Sequence, residues 1–134
     1  MISQRICLLD KSIKSLSIKI TTTNSSICGI DFKLYNKNEY LISEWRMGID
    51  YKDSYLKEIK IDPENMHRAI LIFNAQICTK NVADDKTKLT IEIMQDFIKP
   101  KINLPLQYEI ENIPPCNTSQ TYELTDTLMF LIND

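Results

Sequence analysis

Residues 68–79 read RAILIFNAQICT, and this stretch decides the fold of the chain. Its apolar residues occupy both sides of a period-2 pattern, with Leu71 and Phe73 on one side and Ile70 and Ile72 on the other. Successive side chains of a strand point to opposite faces of a sheet. A strand that is apolar on both faces belongs in the middle of a sheet that is covered on at least part of each side. The stretch therefore predicts a central β-strand.

Further segments of short, mostly alternating apolar residues flank this central strand. Alternation of apolar and polar residues is typical of antiparallel strands with one buried face. Residues 98–105 contain two prolines, which excludes a central strand and indicates an extended crossover between two sheets. The predicted strands besides the central one cover 5–9 (an edge strand), 15–21, 28–35, 40–47 (packed on both faces), 55–61, 89–94, 106–111, 122–124 and 128–132.

The segment before the central strand has two interpretations. Tyr51 and Tyr55 are four residues apart, as on one face of a helix. Residues 57–61 instead alternate and are followed by Asp62 and Pro63, which favours a strand closed by a turn. We favour a strand that begins at Tyr55, follows a loop, and precedes one helical turn with Asp62 as its N-cap and Pro63 at its first position.

These elements predict an all-β fold, namely an antiparallel β-sandwich of about eight short strands. A small β-barrel is the alternative. The sandwich is favoured because two strands are apolar on both sides and because the proline-containing crossover suits a chain that changes sheets. The 134 residues, of which 43% are hydrophobic, suffice for one core, so residues 1–134 are predicted to form a single domain.

Charge is unevenly distributed, although the net charge is only −2. Residues 1–20 carry four basic residues against Asp10 alone, and no basic residue follows Lys101. This asymmetry predicts that the two ends of the chain are neighbours in one sheet and neutralise each other. The alternative is an acidic face for a basic partner. An acidic balance without a cluster of basic and aromatic residues argues against nucleic acid as the partner.

The four cysteines are spread over the chain without a C-x-x-C pair. Cys28 and Cys78 continue the apolar rows of their strands and are predicted to be buried free thiols, whereas Cys116 lies in the loop PPCN and is predicted to be exposed. The redox state of these three and of Cys7 is left open, because export would allow two disulfides in three pairings. With no visible secretory leader and no apolar run long enough to span a bilayer, we expect a cytoplasmic location without a membrane span.

Motifs for catalysis are missing from the sequence. His67 is the only histidine and two glycines cannot build a phosphate-binding loop, so we predict no enzymatic activity, no cofactor and no metal site. A solvated or capping role is expected for His67. Acidic pairs in loops would suit calcium, but aspartate is also a common turn residue; these pairs are Asp50 with Asp53, Asp62 with Glu64, and Asp84 with Asp85.

Five aromatic residues lie within one short span of the chain: Tyr35, Tyr40, Trp45, Tyr51 and Tyr55. They are interpreted either as packing residues or as a patch that contacts a partner, since Tyr and Trp are enriched at contact surfaces. We predict a non-enzymatic protein-interaction module that binds another protein, as an accessory subunit or an immunity-type inhibitor. The alternative is a carrier of a small hydrophobic ligand with an apolar cavity.

Overall fold

Short strands account for most of the chain, as the sequence predicts. The computed structural model describes residues 4–23, 25–47, 54–80, 86–96, 100–103 and 105–133. Its elements in chain order are β1 (Ile6–Asp10), β2 (Ser15–Thr22), β3 (Ser26–Tyr35), β4 (Leu41–Met47), β5 (Ser54–Lys60), α1 (Pro63–Met66), β6 (Ile70–Cys78), β7 (Thr87–Gln95), β8 (Lys101–Ile102), β9 (Gln107–Ile110) and β10 (Tyr122–Asn133).

The strands form two sheets that enclose one hydrophobic core. The six-stranded sheet has the order β4-β3-β6-β10-β1-β8, and the four-stranded sheet has the order β5-β2-β7-β9. Across the described ranges these sheets do not close into a barrel. The predicted all-β sandwich is therefore confirmed, and the barrel alternative is excluded.

The strand β6 holds the position predicted for it, between β3 and β10 in the six-stranded sheet. Its inward side chains, including Leu71 and Phe73, are fully buried, whereas Ile70 and Ile72 on the other face are half-buried. The period-2 pattern thus fixes which face meets the core. The largest fully buried side chains come from both sheets and include Phe32, Phe73, Phe130, Leu9, Ile13, Leu16, Ile18 and Ile20.

The two ends of the chain meet in the six-stranded sheet. β1 pairs with β10 in parallel on one side and with β8 in the antiparallel sense on the other, so the prediction of an edge strand at residues 5–9 is wrong. β10 is one continuous strand where the sequence predicted two. Arg5, just before β1, forms an ion pair with Asp126 of β10. This pairing confirms that β1 and the acidic end are neighbours in one sheet, whereas β2, which carries Lys19, lies in the other sheet.

β4 is an edge strand with one wet face, which corrects the prediction that it is packed on both faces. Trp45 is buried against the core, whereas Glu44 and Arg46 on the opposite face are exposed. The proline-containing stretch behaves as predicted, because β8 lies in the six-stranded sheet while β7 and β9 lie in the four-stranded sheet. The chain therefore crosses between sheets and returns.

The segment before β6 also matches the sequence-based interpretation. β5 is a strand, and α1 follows it with Pro63 in its first turn. The Asp62 side chain accepts a 3.1 Å hydrogen bond from the backbone N–H of Glu64, which satisfies one of the free donors at the start of the helix. No helix in the described part of the chain is long and apolar enough to cross a membrane.

Candidate functional site

The five aromatic residues do not form one surface patch. Trp45 is only 9% exposed and stacks on Phe32 inside the core, with ring centroids 4.7 Å apart. Tyr55 lies on β5 of the other sheet, where its half-buried ring packs against the core. Tyr51 lies outside the described residues. Trp45 and Tyr55 therefore act mainly in packing.

The remaining two tyrosines lie at the hairpin that joins β3 to β4. The hairpin is closed by a 2.8 Å hydrogen bond from the N–H of Asn36 to the carbonyl of Tyr40. Tyr40 is 70% exposed, Tyr35 is half-buried, and Leu41, which begins β4, is 49% exposed. The sequence does not single out Leu41, because the prediction that residues 40–47 are packed on both faces leaves no residue of that strand exposed. The exposed apolar surface here is the pair Tyr40 and Leu41, which we call the hairpin patch.

This hairpin patch is continuous with an open sheet edge. β4 is paired with β3 alone among the described strands, so its other edge presents unpaired backbone donors and acceptors. The side chains on its core-facing side include Ser43 and Trp45, which lie opposite Leu34 and Phe32. Neither side chain is charged, so these two positions would not place a charge against an added strand.

The β5 edge of the four-stranded sheet differs from the β4 edge in one respect. On β5, Lys57 lies opposite Ile18. It is on the same face of the strand as Tyr55 and Ile59, whose side chains pack against the core. A charged residue that points inward from an edge strand discourages strand addition, because a partner strand would bury that charge. Leu56, 62% exposed, lies on the outward face of this same strand.

The structure also brings three cysteines together, which the sequence did not predict. Cys78 and Cys116 form a disulfide, so the predictions of a free Cys78 and an exposed Cys116 thiol are wrong. Cys28 is free and buried, as predicted, and its Sγ lies 2.8 Å from the Sγ of Cys78. All three Sγ atoms lie within 4.8 Å of one another. No local spacing indicates this cluster, since its members are 50 and 38 residues apart.

The cluster lies on the outer face of the six-stranded sheet, beneath the loop that carries Cys116. Cys28 and Cys78 border a cavity of about 470 Å³ whose other walls are polar and include Gln76, Gln120 and Glu123. Burial raises the pKa of the Cys28 thiol. Chemically, a thiol beside a disulfide can exchange with it, and three reduced cysteines at this spacing could hold a soft metal ion.

The fourth cysteine has a different environment. Cys7 on β1 is fully buried in the core, and burial raises its pKa to about 12. A thiol with so high a pKa carries almost no thiolate at neutral pH, so it is inert. Cys7 therefore serves as an internal reference for the three clustered cysteines.

The clefts of the protein give little support to the hypothesis that it carries a small hydrophobic ligand. The space between the sheets is filled by aromatic and branched side chains, among them Phe73 and Phe130. An open cleft of about 220 Å³ lies beside the crossover and is lined in part by Ile91, Ile102 and Leu106. It is small beside the ligand pockets of drug-sized molecules.

Two further candidates have structural roles or lie outside the described residues. His67 ends α1 and accepts, through Nδ1, a 3.1 Å hydrogen bond from the N–H of Ile132. His67 is exposed, which fits the solvated role expected for it, and its bond to β10 caps no helix end. Of the acidic loop pairs, Asp62 caps α1 with Glu64 as its donor, whereas Asp50, Asp53, Asp84 and Asp85 lie outside the described residues.

Comparison with known proteins identifies no relative of this chain: no family model, no curated protein and no solved structure matches it significantly.

Proposed function

We propose that the protein is a non-enzymatic interaction module that binds another protein through the β4 edge and the hairpin patch. The observation that supports this most strongly is the combination of an open edge with exposed apolar side chains at its start, Tyr40 at 70% and Leu41 at 49%. Backbone hydrogen bonds along such an edge provide affinity for an extended segment of a partner, and neighbouring side chains provide specificity.

The charges beside the edge fit this role. On the outward face, Glu44 lies opposite Lys33, and Arg46 forms a 3.3 Å ion pair with Asp31 of β3. These charges are balanced within the protein, so the partner strand need not supply a particular charge. Specificity would therefore rest on the hairpin patch, whose aromatic ring offers a large rigid contact area at low entropic cost.

Affinity capture with matched variants tests the proposal. The tagged full chain is compared with a Tyr40→Ser and Leu41→Ser double variant in quantitative mass spectrometry of proteins recovered from the source lysate. The control is Leu56→Ser, which removes a leucine that is 62% exposed, against 49% for Leu41, from the β5 edge of the four-stranded sheet. We expect one stoichiometric protein that the wild type and the control recover and the double variant loses.

A second arm addresses the backbone edge itself. Ser43→Lys introduces a core-facing charge on β4 like that of Lys57 on β5, and Glu44→Lys places the same charge on the outward face as its control. Loss of the partner with Ser43→Lys alone supports strand addition. Recovery of the same proteins by all variants, or of the bait alone, contradicts the proposal.

A further inference from the structure

We propose that Cys28, Cys78 and Cys116 form a thiol–disulfide exchange site in which Cys78 is bonded in turn to either of the other two cysteines. In the structure the bond is Cys78–Cys116 and Cys28 is the free thiol. The Cys28 thiolate attacks Sγ of Cys78, the Cys28–Cys78 bond forms, and Cys116 leaves as a thiolate that takes up the proton Cys28 has lost. Atoms and electrons balance within the protein, so no external oxidant is required.

A β-bulge places the attacking sulfur. β3 and β6 pair in register at Ile27 with Ile77 and again at Gly29 with Gln76, so Cys28 is the extra residue on β3. Bulges redirect a side chain and are common beside active sites. Here the bulge sets the Sγ of Cys28 2.8 Å from that of Cys78, on the face where Cys78 already meets Cys116.

Of the three sulfur atoms, that of Cys116 is the most accessible to solvent. Cys28 and Cys78 are 3% and 1% exposed, whereas Cys116 is half-buried in its loop. Clefts reach Cys116 from both sides, one shared with Gln120 and Glu123 and the other with Lys80 and Asn117. A leaving thiolate at this position is solvated, which favours its departure over that of a fully buried sulfur.

Backbone hydrogen bonds, besides the disulfide, anchor the Cys116 loop to Thr79 at the end of β6. The N–H of Cys116 donates to the carbonyl of Thr79 at 2.8 Å, and the N–H of Thr79 donates to the carbonyl of Pro114 at 2.9 Å. The freed sulfur therefore stays near Cys78, and the exchange is reversible. While it is free, the Cys116 thiolate can attack a low-molecular-weight disulfide, forming a mixed disulfide at Cys116 and releasing one equivalent of the small thiol.

Alkylation of the unreduced protein tests this. The full chain, purified without reductant, is treated with N-ethylmaleimide under native conditions, and its disulfides and adducts are mapped by non-reducing peptide mass spectrometry. We expect the adduct on Cys116 together with a Cys28–Cys78 disulfide, at a rate that rises with pH because thiolate is the nucleophile. An adduct on Cys28 with Cys78–Cys116 intact overturns the proposal, and so does the absence of any adduct before denaturation.

Two variants sharpen the result. Cys28→Ser removes the attacking sulfur and is expected to lower labelling of Cys116 by about tenfold or more, because the disulfide then has no internal nucleophile. Cys7→Ser removes the other buried thiol and should label at the wild-type rate. Should either variant fail to fold, the wild-type map decides alone. Isolation of the protein with three reduced cysteines and one equivalent of bound metal also overturns the proposal.

Discussion

The hydroxyl of Tyr108 donates a 2.6 Å hydrogen bond to Oδ2 of Asp126, and this bond joins β9 of one sheet to β10 of the other. Asp126 lies opposite Phe73 in the pairing of β10 with β6, so its carboxylate is on the core-facing side. Arg5 donates to the same oxygen and lies with its guanidinium carbon 5.2 Å from the centre of the Tyr108 ring. The charge is therefore tolerated because it accepts hydrogen bonds from two donors, Arg5 just before β1 and Tyr108 on β9.

Replacing Asp126 by Asn is expected to lower the free energy of unfolding by about 1–3 kcal/mol, because the half-buried Arg5 loses its counter-charge. Urea denaturation followed by fluorescence measures this. Glu111→Gln is the control, since its ion pair with Lys86 is long at 3.7 Å and mostly exposed. A surface pair contributes about 0–1 kcal/mol. An equal loss in both variants would contradict the role assigned to Asp126.

Alkaline pH should weaken the contact between Tyr108 and Asp126. Burial first, and then the hydrogen bond and charge of Asp126, raise the pKa of Tyr108, while Arg5 lowers it. Because the folded pKa lies above the unfolded value of about 10, the contribution to stability is complete below that pH. It is lost as the pH rises from there towards the folded pKa. Urea midpoints between pH 8 and 11 should fall more steeply in the wild type than in Tyr108→Phe. Parallel curves would exclude this linkage.

Trp45 and Tyr40 should respond oppositely to truncation. Trp45→Ala removes a ring that stacks on Phe32 in the core and is expected to cost about 3–5 kcal/mol of stability. Tyr40→Ala removes a ring that is 70% exposed and is expected to change stability by less than about 0.5 kcal/mol. Thermal denaturation compares the two. A large loss with Tyr40→Ala would show that the hairpin patch is a packing element.

The sequence predicts most of the fold because a strand with one buried face has apolar residues at every second position, and this pattern is visible in the sequence. The apolar rows of Leu71 and Phe73 indicate β6, and the Asp62-Pro63 pair indicates the start of α1 correctly. Pairing between distant segments leaves no such trace. The charge asymmetry predicts that the chain ends are neighbours, but nothing near Arg5 shows that β1 pairs in parallel with β10, because parallel neighbours need no connecting turn.

The candidate site is less predictable for the same reason. Each of its cysteines is locally indistinguishable from a small buried hydrophobe or a loop thiol. The bulge that redirects Cys28 depends on how β3 pairs with β6, and the disulfide depends on a loop that folds back over the sheet. The prediction that the five aromatic residues form either packing or one patch was incomplete, because composition does not show which way a side chain points. Trp45 points to the core, whereas Tyr40, five residues earlier, is exposed.

Removing the core-facing charge of β5 should promote self-association. Lys57→Val leaves an edge strand without an inward-pointing charge, so a second chain can pair with it. Light scattering after size-exclusion chromatography should show a mean mass that rises with protein concentration. Lys60→Val is the control, since Lys60 lies opposite Ser15 on the outward face. Equal masses for both variants and the wild type would show that Lys57 does not protect this edge.

Disulfide exchange among the three cysteines should also affect the free energy of unfolding, which can be measured without labelling. If either Cys28 or Cys116 can pair with Cys78, each of the variants Cys28→Ser and Cys116→Ser retains one disulfide under oxidising conditions, and only the double variant has none. Closing a loop with the 38-residue separation of Cys78 and Cys116 stabilises the folded state by about 4 kcal/mol in the chain-entropy model. The double variant should therefore lose about 3–4 kcal/mol more than the two single losses combined.

Urea denaturation of the four proteins, each refolded with oxidised glutathione, measures this coupling. The comparison keeps Cys78 in every protein, so the cost of placing serine at its buried position does not enter. If Cys28 cannot replace Cys116, the single Cys116→Ser variant already loses the whole disulfide contribution. The double variant then loses only the packing of Cys28 in addition. Additive losses would thus show that the Cys78–Cys116 bond is fixed, whereas strong non-additivity requires a disulfide that two cysteines can supply in turn.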